Sequence, residues 1–354
     1  MNIAIVGAGV VGRLTAMSLI DANHNVTIYD KHPLDTPDNA AFASAGMLCP
    51  LGEIIHAPRS VLDMGLWSLN RWSDLLKILG KQDPYHEQIF YQSNGSLAVA
   101  FPQDESCFKQ LEQDLRMKAC THIDSIDWLD QQQLEKIEPN LGQFNQAAFL
   151  KTEGQLCNRS FLSASTRALN AQAQVIDQRE LQQKDIEQLS SEFEWVIDCR
   201  GSGAIEQQGR QLPDNNLRGI RGEVLRVYCP EVTFNRPIRV MHPRNSIYIV
   251  PKPNHEFVIG ATEVESHAEH PITLRSCLEL MTTLYAIHPA FSEAQILETR
   301  VGIRTAFSDN TPKVQRSQNI ISANGLYRHG WLIGPAITNK ILQVINEKDH
   351  ELHH

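Results

Sequence analysis

The chain has 354 residues, 42% of them hydrophobic and 21% charged, with a formal net charge of −9. That acidity excludes a broad basic surface for nucleic acid or anionic lipid, while leaving room for a local basic pocket. No apolar run approaches the ~20 residues of a membrane span, and seven cysteines without a Cys-x-x-Cys pair give neither a disulfide framework nor a zinc site, so no metal is expected.

Residues 3–6 are a short apolar run closed by Gly7, which reads as a buried parallel strand. With no basic region or cleavage site ahead of that glycine, the protein reads as cytoplasmic. Across 10–22, Val11, Leu14, Ala16, Leu19 and Ile20 fall near one helical face, and the β-branched segment 26–30 ends in Asp30. This predicts a strand–helix–strand unit of the usual ~30 residues. Helical spacing recurs over 59–80, 104–117, 130–137, 161–170 and 273–287, and strands are expected at 96–101 and 194–198. From 222 to 262 the pattern shifts to short β-rich segments at 223–228, 237–241, 246–251 and 256–261, which alternate with turn residues as in an antiparallel sheet. A segment starting at Val301, a strand at 319–323 and a helix over 335–345 close the chain. Strand–helix units at both ends around an antiparallel insert predict two domains of discontinuous segments, an α/β (α+β) fold.

Gly7-Ala8-Gly9-Val10-Val11-Gly12 is a G-x-G-x-x-G motif set between strand and helix, with Asp30 following at the end of the second strand. Gly7 makes the tight turn, Gly9 lets the backbone approach a pyrophosphate, and Gly12 lets helix and strand pack closely; the helix N-terminus then faces the phosphates. Asp30 suits ribose hydroxyls and repels a 2′-phosphate. The motif predicts a dinucleotide but does not choose between nicotinamide and flavin.

Further segments resemble the D-amino-acid oxidase family of flavoproteins, and within it the glycine oxidase branch of the thiamine pathway. They are Ala43–Pro50 with its Ala-Gly-Met-Leu run, Leu134 with Glu138-Pro139-Asn140-Leu141, Glu153-Gly154-Gln155, Tyr248–Pro251 with Val258–Thr262, Val301-Gly302-Ile303-Arg304, and Gly325–Pro335. Order and spacing hold over essentially the whole chain. The resemblance implies FAD as cofactor and a Rossmann-like FAD-binding domain (1–80, 152–215 and 296–348). It also implies a mainly antiparallel substrate-binding domain (81–151 and 216–295). It implies oxidation of glycine or another small amino acid or amine by hydride transfer to the flavin, with oxygen as acceptor and hydrogen peroxide as product.

Carried over by position, Arg304 holds the substrate carboxylate, Tyr248 adds a hydroxyl donor, and Arg328 lies near the flavin and the substrate entrance. The residues expected at FAD are Gly7, Gly9, Val11, Gly12, Asp30, Ala45, Gly46, Met47, Val175, Gly201, Arg304, Arg328, His329, Gly330, Trp331 and Leu332. Arg304 sits among apolar neighbours, so its charge needs a partner, and a planar guanidinium suits a carboxylate. Pro335 is expected to open the last helix, whose N-terminal end would stabilise negative charge on the flavin pyrimidine. The chain departs from the resemblance at Leu326, at Thr305-Ala306, at Lys313-Val314-Gln315 and at Arg200. Two alternatives stay open: an acceptor other than oxygen, or, on the strength of those departures, a partner protein whose side chain is oxidised during maturation of a protein-derived quinone.

Overall fold

In the computed structural model, residues 1–55, 57–205, 217–244 and 246–352 are described. The chain starts as its periodicity predicts. Strand β1 (Asn2–Val6) runs into helix α1 (Val10–Asp21), which returns through Asn23, in the left-handed region at φ 61°, to strand β2 (Asn25–Tyr29). Ile3, Ala4 and Ile5 are fully buried, because helices cover both faces of the sheet they enter. That sheet has six strands in the order Lys313–Ser317, Ile320–Asn324, Trp195–Asp198, β1, β2 and Gln174–Ile176, all parallel except the antiparallel edge strand Lys313–Ser317.

The second sheet has nine strands. Its central run is Arg218–Tyr228, Glu256–Gly260, Ile247–Lys252 and Ile238–Met241, all antiparallel, continued by Ser96–Ala100, Gln146–Leu150 and Ile126–Asp130. One strand crosses the boundary expected at 296. Gln295–Ala306, assigned from sequence almost wholly to the dinucleotide-binding segment, pairs with Arg218–Tyr228 along its length and so belongs to this sheet. The boundary at 215/216 falls outside the described residues.

A third sheet joins Met47–Leu48, Gly154–Leu156 and Tyr91–Gln92 in that order. Nearby, Trp72 packs edge-on against Phe161 at 5.8 Å and Phe161 edge-on against Trp331 at 5.2 Å. Such pairs add about 0.5–1.5 kcal/mol each beyond simple burial, and here they tie helices Arg59–Gln82 and Asn158–Gln172 to the closing helix.

The closing helix departs from the expectation. It runs Gly330–Leu352, and Pro335 lies inside it rather than at its start. A 3₁₀ turn over Tyr327–His329 leads into it, so its first-turn N–H groups belong to Gly330, Trp331, Leu332 and Ile333. Pro335 is still within the second turn, where the lost N–H costs a single intrahelical bond.

Candidate active site

At the end of β1, Gly7 has φ +100°, a conformation that L side chains rarely adopt, and a Cβ there would strike the Cys199 carbonyl. Gly12 faces the Gly7 carbonyl so closely that a Cβ has no room, which is the tight helix–strand packing expected of the third glycine. Gly9 is different: a Cβ on it would meet no protein atom within 4 Å. It is also the N-cap of α1 and places no side-chain oxygen on the helix's first N–H groups. Open space beside an uncapped helix N-terminus is the setting an anion requires. Asp30 braces the turn, accepting from the Ala8 N–H at 2.6 Å and the His32 N–H at 2.9 Å. It still lines the cleft that runs from the glycine turn past Gly201 and Asn324 to Arg304, Arg328, Gly330 and Trp331.

A smaller cavity of ≈ 80 Å³ adjoins that cleft, and Ala45, Gly46, Met47, Tyr248, His329 and Leu332 line it together with Arg304 and Arg328. Arg304 comes from strand Gln295–Ala306 and Tyr248 from Ile247–Lys252. Two glycines make room for them. A Cβ on Gly222 would collide with the Arg304 guanidinium, and one on Gly260 would stand 2.7 Å from the Tyr248 Oη. The Arg304 Nη1 donates to the Thr262 carbonyl at 3.2 Å, and among the described residues no carboxylate pairs with it. Burial raises the pKa of the Tyr248 phenol, which therefore stays protonated and able to donate.

Beside the cavity stands a charged cluster, two members of which, Glu53 and Arg239, sequence reasoning missed. Glu53, from a loop without regular structure, pairs with Arg239 and with the Arg328 Nε at 2.9 Å, and its Oε2 is 3.8 Å from the His329 Nδ1. Burial alone would raise its pKa, but the two guanidinia outweigh burial and hold the carboxyl well below its usual range. Arg328 reaches a second acid, Glu263, at 3.3 Å, and Tyr327 donates to the same carboxylate. His329 is 2% exposed; burial pushes its pKa down to about 4 despite Glu53, so the imidazole is neutral. The only sequence signal for Glu53 was its place three residues after Pro50, at the end of the Ala-Gly-Met-Leu segment. Arg239, in an ordinary β-rich stretch, gave none.

Most of the residues singled out from sequence line one or other cavity. Gly12 does not; its part is packing. Val175 pairs with Ile28 on the edge strand Gln174–Ile176 and lines neither cavity. Arg200 folds back onto Asp198 at 2.8 Å, and Leu326 lines the larger cleft.

A parallel sheet headed by a glycine turn, joined by one cleft to an antiparallel sheet that presents an arginine, is the architecture of a dinucleotide-dependent oxidoreductase with a separate substrate sheet. The family model for FAD-dependent oxidoreductases of the DAO type matches residues 2–341, and the chain belongs to that family. It is 35% identical over 342 residues, 96% of this chain and 95% of the other, to the putative thiamine biosynthesis oxidoreductase ThiO of Rhizobium etli. It is 23% identical to the glycine oxidase of Bacillus licheniformis, covering 96% and 92% of the two chains. The crystal structure of glycine oxidase from Geobacillus kaustophilus has the same fold, with a TM-score of 0.81 over 98% of this chain and 94% of that one at 20% identity. The chain is thus an FAD-dependent oxidoreductase homologous to ThiO and glycine oxidase, and the residues present fit its cofactor: open backbone at Gly9, uncapped N–H donors on α1, and a carboxylate at Asp30. Among the described residues, no helix is long and apolar enough to cross a membrane.

Proposed function

We propose that this enzyme oxidises glycine or another small amino acid to the imino acid, which water converts to the oxo acid and ammonia. One observation carries the reading: the Arg304 guanidinium faces the cavity with a single protein hydrogen bond and no acidic partner among the described residues. A buried cation without a counter-ion is costly, and a substrate α-carboxylate supplies that counter-ion in a bidentate geometry. The Tyr248 hydroxyl, held on the same wall, donates a further hydrogen bond to it. At ≈ 80 Å³ the cavity offers roughly half a dozen water-sized positions, which suits a substrate of a few heavy atoms.

When bound, FAD would take the α-hydrogen with two electrons, and oxygen would be the final acceptor, giving hydrogen peroxide. The protein's share is orientation and charge. Arg304 and Tyr248 fix the carboxylate, while Arg328, tethered between Glu53 and Glu263, closes the cavity at the cleft. The neutral, buried His329 carries no imidazolium proton to give as a general acid at neutral pH. A partner polypeptide is the weaker reading, because an internal residue of a chain has no α-carboxylate to offer Arg304.

The test is anaerobic titration of the holoenzyme with glycine, sarcosine and small D-amino acids. Bleaching of the flavin band, with peroxide formed on admitting air, is expected. No bleaching across the panel overturns the substrate assignment, and bleaching followed by slow reaction with air overturns oxygen as the acceptor.

A further inference from the structure

Arg13 stands one residue past the glycine motif, in the first turn of α1, and is 1% exposed. Its Nε donates to the Ala8 carbonyl at 2.7 Å. Nη1 donates to the Leu162 carbonyl at 3.1 Å and to the Ser165 and Thr166 hydroxyls at 2.9 and 2.8 Å, and Nη2 to the Leu34 carbonyl at 2.5 Å. Every acceptor is neutral. Among the described residues no carboxylate lies within ion-pair distance, and Asp30, the acid whose charge reaches Arg13, already accepts two backbone N–H groups.

Other deeply buried arginines of the chain have their anion. Arg221 pairs with Glu223 at 2.7 Å, Arg200 with Asp198 at 2.8 Å, and Arg239 with Glu53. Arg13 and the half-buried Arg304 do not, and both line the same cleft. Hydrogen bonds to neutral oxygens orient a buried guanidinium but leave its charge uncompensated, and an uncompensated buried charge is strongly unfavourable. Two such charges lining one cleft call for two anions, and the substrate carboxylate accounts for only one of them.

We propose that Arg13 is the buried counter-charge of the FAD pyrophosphate. It acts through the peptide between Ala8 and Gly9. A guanidinium on the Ala8 carbonyl draws electron density from that amide and makes the Gly9 N–H a stronger donor, just where a helix N-terminus receives phosphate. The full positive charge behind the turn then adds to the partial charge of the helix end. Scaffolding alone, by contrast, needs only the donors and not the charge, and this difference is what an experiment can read.

Apoprotein of the wild type, Arg13→Lys and Arg13→Gln is titrated with FAD by quenching of flavin fluorescence at several ionic strengths, and apo and holo forms are melted in parallel. Lys keeps the charge with three donors in place of five; Gln keeps two donors and loses the charge. Arg13→Gln is expected to weaken FAD binding by about tenfold or more, to flatten its salt dependence, and to shrink the rise in melting temperature that FAD gives; Arg13→Lys is expected to stay within about threefold of wild type. Equal losses in the two variants, or an equal fall in apo and holo melting temperatures with FAD affinity unchanged, overturn the proposal. Should neither variant fold, the wild-type apoprotein is melted with inorganic pyrophosphate: a rise in melting temperature that shrinks steeply with added salt is expected, and no rise overturns the proposal.

Discussion

The Arg304 guanidinium lies across the backbone of Gly222, on the neighbouring strand, where a Cβ would stand 3.0 Å from Nε and closer still to Nη2. The register puts Arg304 beside Ile220 and Gly222 beside Gly302, so the side chain reaches Gly222 diagonally across the sheet. Gly222→Ala therefore displaces the guanidinium without touching the cofactor end of the cleft. The expected outcome is a rise in KM for the amino acid of about tenfold or more with a smaller change in kcat, the signature of lost ground-state binding. The visible spectrum of bound flavin should stay the same. An unaltered KM in a steady-state peroxide assay would show that the carboxylate binds elsewhere.

Glu53 is the anion shared by Arg239 and Arg328, and Glu53→Gln leaves two buried guanidinia without it. Removing one partner of a buried pair costs about 3–5 kcal/mol, so a melting temperature several degrees below wild type is expected at neutral pH. The pH dependence has a definite sign. A carboxyl held below its usual range contributes stability above about pH 4.5 and loses it as pH falls towards the folded-state value. Wild type should lose stability in acid more steeply than Glu53→Gln, as read from melting curves between pH 3 and 7.

The fold and the cofactor end were legible in sequence because each rests on local chemistry. Alternating and helical spacing marks β1, α1 and β2, and three glycines with Asp30 carry their own geometric reasons. Arg304 and Tyr248 were singled out only through resemblance, since nothing local separates an arginine that faces a cavity from a packed one. Gly222, Gly260, Glu53 and Arg239 were not found. Their significance depends on which residue faces them across a sheet or loop, and that is set by register and tertiary packing, not by neighbours in the chain. The pairing of strand Gln295–Ala306 with Arg218–Tyr228 was not legible for the same reason, because pairing partners leave no mark within a single strand. The start of the last helix was misplaced because Pro335 looks like a first-turn residue, and only the 3₁₀ turn before Gly330 shows otherwise.

His329 gives a second pH window. Its pKa is pushed from 6.5 to about 4 by burial. Between those values the unfolded chain binds a proton that the native site refuses, so stability is complete above about pH 6.5 and declines as pH falls to about 4. The gap corresponds to about 3 kcal/mol at most. His329→Gln removes the titrating group. The difference between the variant and wild-type melting temperatures is expected to shift in the variant's favour on acidification through this window, and a difference constant with pH would mean that His329 titrates normally.

Gly9 and Gly12 lie three residues apart in one motif, yet they respond to different constraints. Gly12→Ala puts a Cβ against the Gly7 carbonyl, which is backbone and has nowhere to go. That variant is expected to destabilise the apoprotein itself, with FAD binding lost as a consequence. Gly9→Ala meets no protein atom within 4 Å, and its φ of −72° is one that alanine adopts freely. The apoprotein should therefore melt close to the wild-type temperature, since alanine narrows the unfolded ensemble but is a poorer N-cap than glycine. FAD affinity should nevertheless fall by about tenfold or more, because the methyl group occupies the space the pyrophosphate needs. Melting of both apoproteins with FAD titration separates the two. A Gly9→Ala protein that binds FAD as tightly as wild type would place the pyrophosphate away from this turn.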